Sequence, residues 1–323
     1  MECDKCGTDA VLHAAYSGLH LCADHLCQSV ERRVRRRVRE DNLVPDDATP
    51  EDPQRWVIGL SGGKDSVVLT SILHDTFGPD PRVELVALSV HEGIEGYRDE
   101  SLDACRTLAA DLGLRHEVVS YDDEFDVRMD EVVENDPYDM SACAYCGVFR
   151  RDVLRRHAAG LDGDKLLTGH NLDDEAETAL MNFLEGDIRK MSRQFDASLG
   201  PFEGAEAART RDPDGPFVPR AKPLRDVPER EVALYARLRD LPAHITDCPH
   251  AEDAYRGEIR DLLYDLEERH PGTRHSILSG YEELVGLAAG HHGDDEVLGE
   301  CQECGSATSR AVCRTCGLLD ALE

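Results

Sequence analysis

Residues Trp56-Val57-Ile58-Gly59-Leu60 run directly into Ser61-Gly62-Gly63-Lys64-Asp65-Ser66 and then into an apolar stretch from Val67 to Thr76. This order dictates a buried strand, a glycine turn and a helix in immediate succession. A helix opening there presents unbonded N–H groups and the positive end of its dipole. Gly62 and Gly63 let the backbone close around an anion, Ser61 and Ser66 add hydroxyl donors, and Lys64 adds a point charge. The segment therefore reads as a phosphate cradle. Its spacing is shorter than G-x-x-x-x-G-K-[ST] and differs from G-x-G-x-x-G, which leaves a plain glycine-rich turn as the competing reading.

Further strands are expected at Val83–Val90, His116–Ser120 and Lys165–Gly169, alternating with helices at Tyr97–Leu112 and Gly147–His157. Such alternation predicts an α/β fold with a parallel sheet covered on both faces. Ligands of such sheets bind at the carboxyl ends of the strands, where Ser61, His91 and His170 fall. Gly169-His170-Asn171-Leu172-Asp173-Asp174-Glu175 brings two carboxylates and an imidazole to the same rim. Asp65 with Asp173 or Asp174 could hold Mg2+ on a triphosphate. Alternatively, an aspartate here simply caps the following helix. Farther on, Gly200–Gly215 reads as a mobile surface insertion, Val227–Leu241 and Ala251–Arg269 as helices, and Gly293–Glu300 as an acidic hinge.

No apolar run is long enough to cross a membrane, and the N-terminus is polar and cysteine-bearing, so a cytoplasmic location is expected. Twelve cysteines there point to metal or redox chemistry rather than to disulfides. Cys3-x-x-Cys6 with Cys22-x-x-His25, and Cys301-x-x-Cys304 with Cys313-x-x-Cys316, have the spacing of tetrahedral zinc knuckles. A redox-active dithiol is the alternative at either end. Cys143-x-x-Cys146 and Cys248 form a third group, and zinc there would lack an equivalent fourth ligand. Three thiolates admit a [4Fe-4S] cluster with one iron left free, or a persulfide relay ending in a disulfide. Cys27 is a spare thiol and Cys105 reads as a core residue. The expected organisation is a zinc knuckle over 1–30, a basic helix and linker over 31–53, the nucleotide domain over 54–290 and a zinc ribbon over 291–323.

The charge is extreme, with 66 acidic against 36 basic residues and a net of −30, and only five of the basic residues are lysine. This bias fits a halophilic protein whose self-repulsion is screened within about 3 Å at molar salt. Under such screening, clustered arginines rather than net charge would decide contact with RNA. Two clusters exist, Glu31–Arg39 (ERRVRRRVR) and Arg150, Arg151, Arg155 and Arg156. Each either packs against the chain's own carboxylates or meets RNA.

The Ser61–Ser66 loop resembles the SGGxDS loop of the ATP pyrophosphatases, which hold the pyrophosphate of ATP while the α-phosphate is attacked. Several stretches together carry a more specific resemblance: this loop, Glu92–Leu102 (EGIEGYRDESL), Cys143–Arg151 (CAYCGVFRR), Gly169–Thr178, Pro219–Pro223 (PRAKP) and Ala254–Gly257 (AYRG). They resemble the cytoplasmic tRNA 2-thiolation protein 1 family, which is similar to the TtuA thiouridine synthetases of the wider TtcA-like class.

The resemblance covers nearly the whole chain. It implies a parallel-sheet PP-loop ATP pyrophosphatase domain, of the adenine nucleotide alpha hydrolase-like type, flanked by zinc units. Ser61 to Ser66, His91, Gly169, His170, Asp173 and Asp174 are the candidates to line the ATP and Mg2+ site, with Asp65 and Asp173 catalytic, and by the resemblance Asp173 would assist at the nucleotide. Cys143, Cys146 and Cys248 would hold a [4Fe-4S] cluster, and the two terminal sets would hold two Zn2+. The implied reaction is ATP-dependent 2-thiolation of a tRNA uridine, at the wobble position by the EGIxGYRDxS wording, or in the T-loop as the alternative. The implied partners are tRNA and a ubiquitin-like sulfur carrier bearing a thiocarboxylate, with a homodimer admitted and no membrane. Rival readings are an amidating pyrophosphatase and a zinc-ribbon RNA-binding scaffold with a vestigial loop.

Overall fold

The strand Gln54–Gly59 (β3) carries Trp56, Val57 and Ile58, all fully buried, and forms the middle of a five-stranded sheet. This computed structural model describes residues 1–186, 218–250, 255–292, 299–308 and 310–322. The expected insertion at Gly200–Gly215 lies outside them, as do residues 251–254 of the expected helix and 293–298 of the expected hinge.

The strands Val83–His91 (β4) and Arg115–Ser120 (β5) add to one side of β3, and Lys165–Thr168 (β6) and Arg220–Ala221 (β7) to the other. The order is β5-β4-β3-β6-β7 and every pairing is parallel. The chain thus builds outward from β3 in one direction, then crosses back to place β6 on its other flank. That reversal opens a crevice between the carboxyl ends of β3 and β6, where open α/β sheets hold their ligands.

Helices α2 (Lys64–Phe77), α3 (Tyr97–Leu112), α6 (Ala142–Gly160) and α7 (Leu172–Glu185) cover the sheet. Between β5 and α6 lie two short helices, α4 (Tyr121–Phe125) and α5 (Met129–Asn135). After β7 come α8 (Glu229–Leu238), α9 (Tyr255–Arg269) and α10 (Thr273–His292). No helix among the described residues is long and apolar enough to cross a membrane.

The N-terminal unit pairs Leu12–Ala14 (β1) with Leu19–Leu21 (β2) and leads into α1 (Ala23–Glu40). The expected boundary at residue 30 falls inside this helix. Leu26, Val30, Val34 and Val38 form its buried stripe and join the main core beside Trp56 and Leu69. Full burial of each such side chain is worth ~1.5–3 kcal/mol, enough to make the helix a strut of the main domain rather than a linker. At the other end, Gly299–Glu300 (β8), Ala307–Thr308 (β9) and α11 (Arg314–Leu322) form the C-terminal unit, whose Leu318 is buried against Phe149 and Val153.

Candidate active site and metal centres

The first turn of α2 is left open. Its N-cap residue is Gly63, and no side chain caps it. Ser61 Oγ and Ser66 Oγ lie 3.0 Å apart, and Ser66 Oγ accepts from the Ser61 amide at 3.1 Å. Gly62 has φ +83°, and a Cβ there would fall 2.1 Å from the Ser101 carbonyl oxygen, so only glycine fits. By contrast α7 is fully capped: the Asn171 side chain accepts from the Asp173 and Asp174 amides, and Asp174 reciprocates to the Asn171 amide. Of the two helix starts at the crevice, α2 alone has amides to offer an anion.

The β6–α7 turn presses directly on the cradle. A Cβ on Gly169 would lie 2.8 Å from the backbone of Asp65 and Ser66, so glycine is needed for this approach. Asn171 Nδ2 donates to Asp65 Oδ1 at 3.0 Å and thereby ties the two turns together. Asp174 then faces Asp65. Its pKa is pushed up to about 7 by burial and by the charge of Asp65, while burial also raises Asp65 itself. Two buried carboxyls, one raised by the charge of the other, with the nearest cation on Asp174 (Arg256) at 3.8 Å, form a pair that a divalent ion would satisfy.

Asp173 is occupied otherwise. It accepts from the Glu229 amide at 2.8 Å and faces Arg274 at 3.0 Å, which anchors the start of α8 and α10. Of the two adjacent carboxylates, Asp174 is therefore the one left facing Asp65. Lys64 bridges Asp65 Oδ2 (3.0 Å) and Glu229 Oε1 (2.6 Å). Burial works against its charge, but these acids hold its pKa above the ordinary lysine value. His170 accompanies Gly169 at the rim, and burial among Arg220, Lys222, Arg256 and Arg150 keeps it neutral. His91 faces Asp99 at 3.3 Å and accepts from the Gly93 amide.

The thiol trio gathers beside the crevice. Helix α6 starts five residues earlier than the pattern predicts, so Cys143 and Cys146 lie within its opening turns, one helical turn apart on the same side. Cys248 reaches them along an extended segment whose His244 amide donates to the Gly62 carbonyl at 2.8 Å. Cys146 and Cys248 pack on one cluster with Tyr145 and Phe149, and burial raises both pKa values. Cys143 is exposed.

Among the described residues, the sets whose ligand atoms all lie within 4.8 Å are the two terminal ones, not this trio. Wider spacing suits a cluster, in which each thiolate binds a different iron. The terminal sets have single-ion geometry. A tetrahedral Zn2+ with Zn–S of about 2.3 Å and Zn–N of about 2.0 Å sets S to S about 3.8 Å and S to N about 3.5 Å apart. Cys6 and Cys22 sulfurs lie 3.7 Å apart, and His25 Nδ1 lies 3.5 Å from Cys3 and 3.2 Å from Cys22. At the other end, Cys301–Cys316 and Cys304–Cys313 measure 3.9 and 3.6 Å. The Cys313 amide, 3.2 Å from Cys301 Sγ, brings that thiol's pKa down to about 6, while burial raises the thiols of Cys313 and Cys316.

The sequence matches the PP-loop domain family over residues 28–264, and the N-terminal LIM domain of the 2-thiouridine synthetase TtuA over residues 2–27. It is 67% identical to the tRNA 2-thiolation protein NcsA of Haloferax volcanii, covering 100% of this chain and 99% of that one. The chain belongs to the tRNA 2-thiolation protein family. A second member, cytoplasmic tRNA 2-thiolation protein 1 of Caenorhabditis briggsae, is 36% identical over 99% of this chain and 80% of its own. Among solved structures, the U34-tRNA thiolase NcsA from Methanococcus maripaludis with its [4Fe-4S] cluster superposes with a TM-score of 0.79 at 33% identity. That match covers 98% of this chain and 95% of that chain.

Within this family frame, one connection was invisible to sequence reading. Buried Glu92 stands 2.6 Å from Arg98 Nε and 2.8 Å from Arg150 Nε. Arg98 Nε aims its hydrogen at the Val90 carbonyl, so its contact with Glu92 is one of charge, while its Nη1 donates to the Ser61 carbonyl at 2.6 Å. Arg150 Nη2 lies 3.1 Å from Cys146 Sγ. The cradle and the thiol site are thereby joined through three side chains. Only the EGIEGYRDES stretch hinted at it. Of the arginine clusters, the first is partly committed to the fold: Arg33 pairs with Glu231, and Arg36 and Arg37 pair with Asp226, while Arg32 and Arg39 are exposed. In the second, Arg155 and Arg156 pair with Asp152, and Arg156 also with Glu124.

Proposed function

We propose that this chain catalyses ATP-dependent 2-thiolation of a tRNA uridine, at the wobble position. The observation that carries the reading is the joining of the phosphate cradle to the thiol trio by the segment from His244 to Cys248. ATP places its phosphates on the open amides of α2, with the Ser61 and Ser66 hydroxyls and Lys64 as further donors. Asp65 and Asp174 would hold the Mg2+ of the triphosphate. Uridine O2 attacks the α-phosphate, releasing pyrophosphate and leaving O2 as part of an AMP leaving group. A sulfur nucleophile then takes C2, expelling AMP and leaving 2-thiouridine. A [4Fe-4S] cluster bound by Cys143, Cys146 and Cys248 would supply an iron with a position free for sulfur. The residues of this chain hold base, α-phosphate and sulfur within near-attack distance, which demands a base turned out of its stack.

The Methanococcus maripaludis relative is a thiolase of U34, and this likeness supports the wobble assignment over the T-loop alternative. Two Zn2+ at the terminal sets, a ubiquitin-like thiocarboxylate carrier as sulfur source, a cytoplasmic location and a halophilic setting complete the reading. The tetrahedral spacing supports the first, and the −30 charge supports the last. A homodimer would cover the exposed apolar side chains of Phe183, Leu184, Leu284 and Leu287.

The test is a Cys143→Ser chain expressed in a strain lacking the gene. Nucleoside mass spectrometry should find no 2-thiouridine, while the purified variant still releases pyrophosphate with tRNA. Full restoration of thiolation would refute the cluster role, and no pyrophosphate release from the wild type would favour a scaffold.

A further inference from the structure

A chain of net charge −30 must still admit a polyanion to the thiol site, and two exposed arginines close to that site are left without carboxylate partners among the described residues. On α6, Arg150, Arg155 and Arg156 all have carboxylate partners. Arg151, exposed between them, has no ion pair among the described residues; burial of its inner part, and then the neighbouring charges of Arg220, Arg314 and Arg150, act against its own charge. Its guanidinium folds back over Gly147, 3.4 Å from the position a Cβ would take there. That sets it one residue past Cys146, on the same helix as exposed Cys143.

Arg314 comes from the C-terminal unit, where it opens α11 between the ligands Cys313 and Cys316. It too is exposed and has no ion pair among the described residues. The unit is held in a fixed pose on α6. Leu318 fills the cluster of Phe149 and Val153, Ser306 Oγ donates to Asp152 Oδ1 at 3.3 Å, and Tyr138 Oη donates to the Gly317 carbonyl at 3.5 Å. The metal knuckle and these contacts hold like charges close together, an arrangement unfavourable for the chain alone and favourable once an anion bridges them. Guanidinium groups suit this role, since their planar donors match phosphate oxygens in pairs. At high salt only such contact-range charges survive screening.

We propose that Arg151 and Arg314, flanked by Arg220, form a docking surface for the phosphodiester backbone of tRNA. The C-terminal zinc unit then positions RNA at the mouth of the thiol site as well as stapling the fold. This inference rests on the thiolase reading.

The test uses the full-length, metal-loaded protein and transcribed tRNA, with affinity measured by fluorescence anisotropy across a salt series. Arg151→Ala and Arg314→Ala should each weaken binding by about tenfold, as for a lost charged hydrogen bond. Each should lower the slope of log affinity against log salt by about 1, and the double variant by about 2. Zinc content and ATP affinity should match wild type, showing an intact fold, and Arg237→Ala on α8 should change nothing. Since Arg314 adjoins a metal ligand, Arg151→Ala alone suffices if the other loses zinc. Wild-type affinity and slope in the double variant would overturn the proposal. Normal tRNA binding with lost thiolation would assign the surface to an acidic protein partner and equally overturn it. Failure of the wild-type protein to bind tRNA at all would refute the thiolase reading itself.

Discussion

Asp174→Asn should make the metal-free protein more stable while removing its activity. The Asp174 carboxyl has its pKa pushed from 3.8 up to about 7, first by burial and then by Asp65. A carboxyl whose folded pKa lies above its unfolded value favours the native state when protonated. That contribution is complete below about pH 4 and is lost as pH rises towards 7. Three pKa units correspond to ~4 kcal/mol. Solvent access at 28% side-chain exposure, and the loss of the 3.8 Å Arg256 pair, reduce this to ~2–3 kcal/mol. Asparagine keeps the side-chain oxygen that accepts from the Asn171 amide, so the helix cap survives. Thermal denaturation of the metal-free protein at pH 8 should show the variant melting roughly 3–4 °C higher, by the usual entropy scaling for chains of this size. At pH 5 the gap should shrink to less than half. Adding Mg2+ and ATP should stabilise the wild type alone. A variant less stable than wild type at pH 8, or a gap independent of pH, would refute the electrostatic account of the Asp65–Asp174 pair.

Glu92→Gln leaves the buried Arg98 guanidinium and the exposed Arg150 guanidinium without their shared charge and, through the buried Arg98 pair, should cost about 3–5 kcal/mol in denaturant unfolding; a loss under 1 kcal/mol would show that the pairing is incidental. Gly169→Ala forces a Cβ against the Asp65 and Ser66 backbone, so a rise in KM for ATP with about 1–3 kcal/mol of destabilisation is expected, and unchanged nucleotide kinetics would contradict the close approach. Cys301→Ser should lower bound zinc from two ions to one and unseat α11 from α6, read by metal analysis and by hydrogen exchange at Phe149 and Val153. Retention of two zinc ions would exclude this ligand set.

Local sequence determined the parts whose physics is local. The order of apolar strand, glycine turn and helix fixed β3, the cradle and α2, because the required backbone conformations depend on neighbours alone. The C-x-x-C and C-x-x-H spacings likewise bring each terminal set of four side chains together, since groups close together on short turns converge on one point without help from the rest of the chain. The start of α6 is not legible in the pattern because Cys143–Cys146 carries weak helix propensity, and packing of Tyr145 and Phe149 pulls those residues into the helix.

Choices between chemically equal neighbours needed the tertiary structure. Asp173 and Asp174 are adjacent and identical in type, yet α8 and Arg274 claim the first, which leaves the second facing Asp65. Six arginines on α1 have the look of an RNA surface until Asp226 and Glu231, nearly two hundred residues away, pair with three of them. Arg151 resembles its neighbours in sequence and, among the described residues, has none of the carboxylate partners they have. In each case the deciding contact spans a long stretch of chain, and the fold alone sets which groups meet.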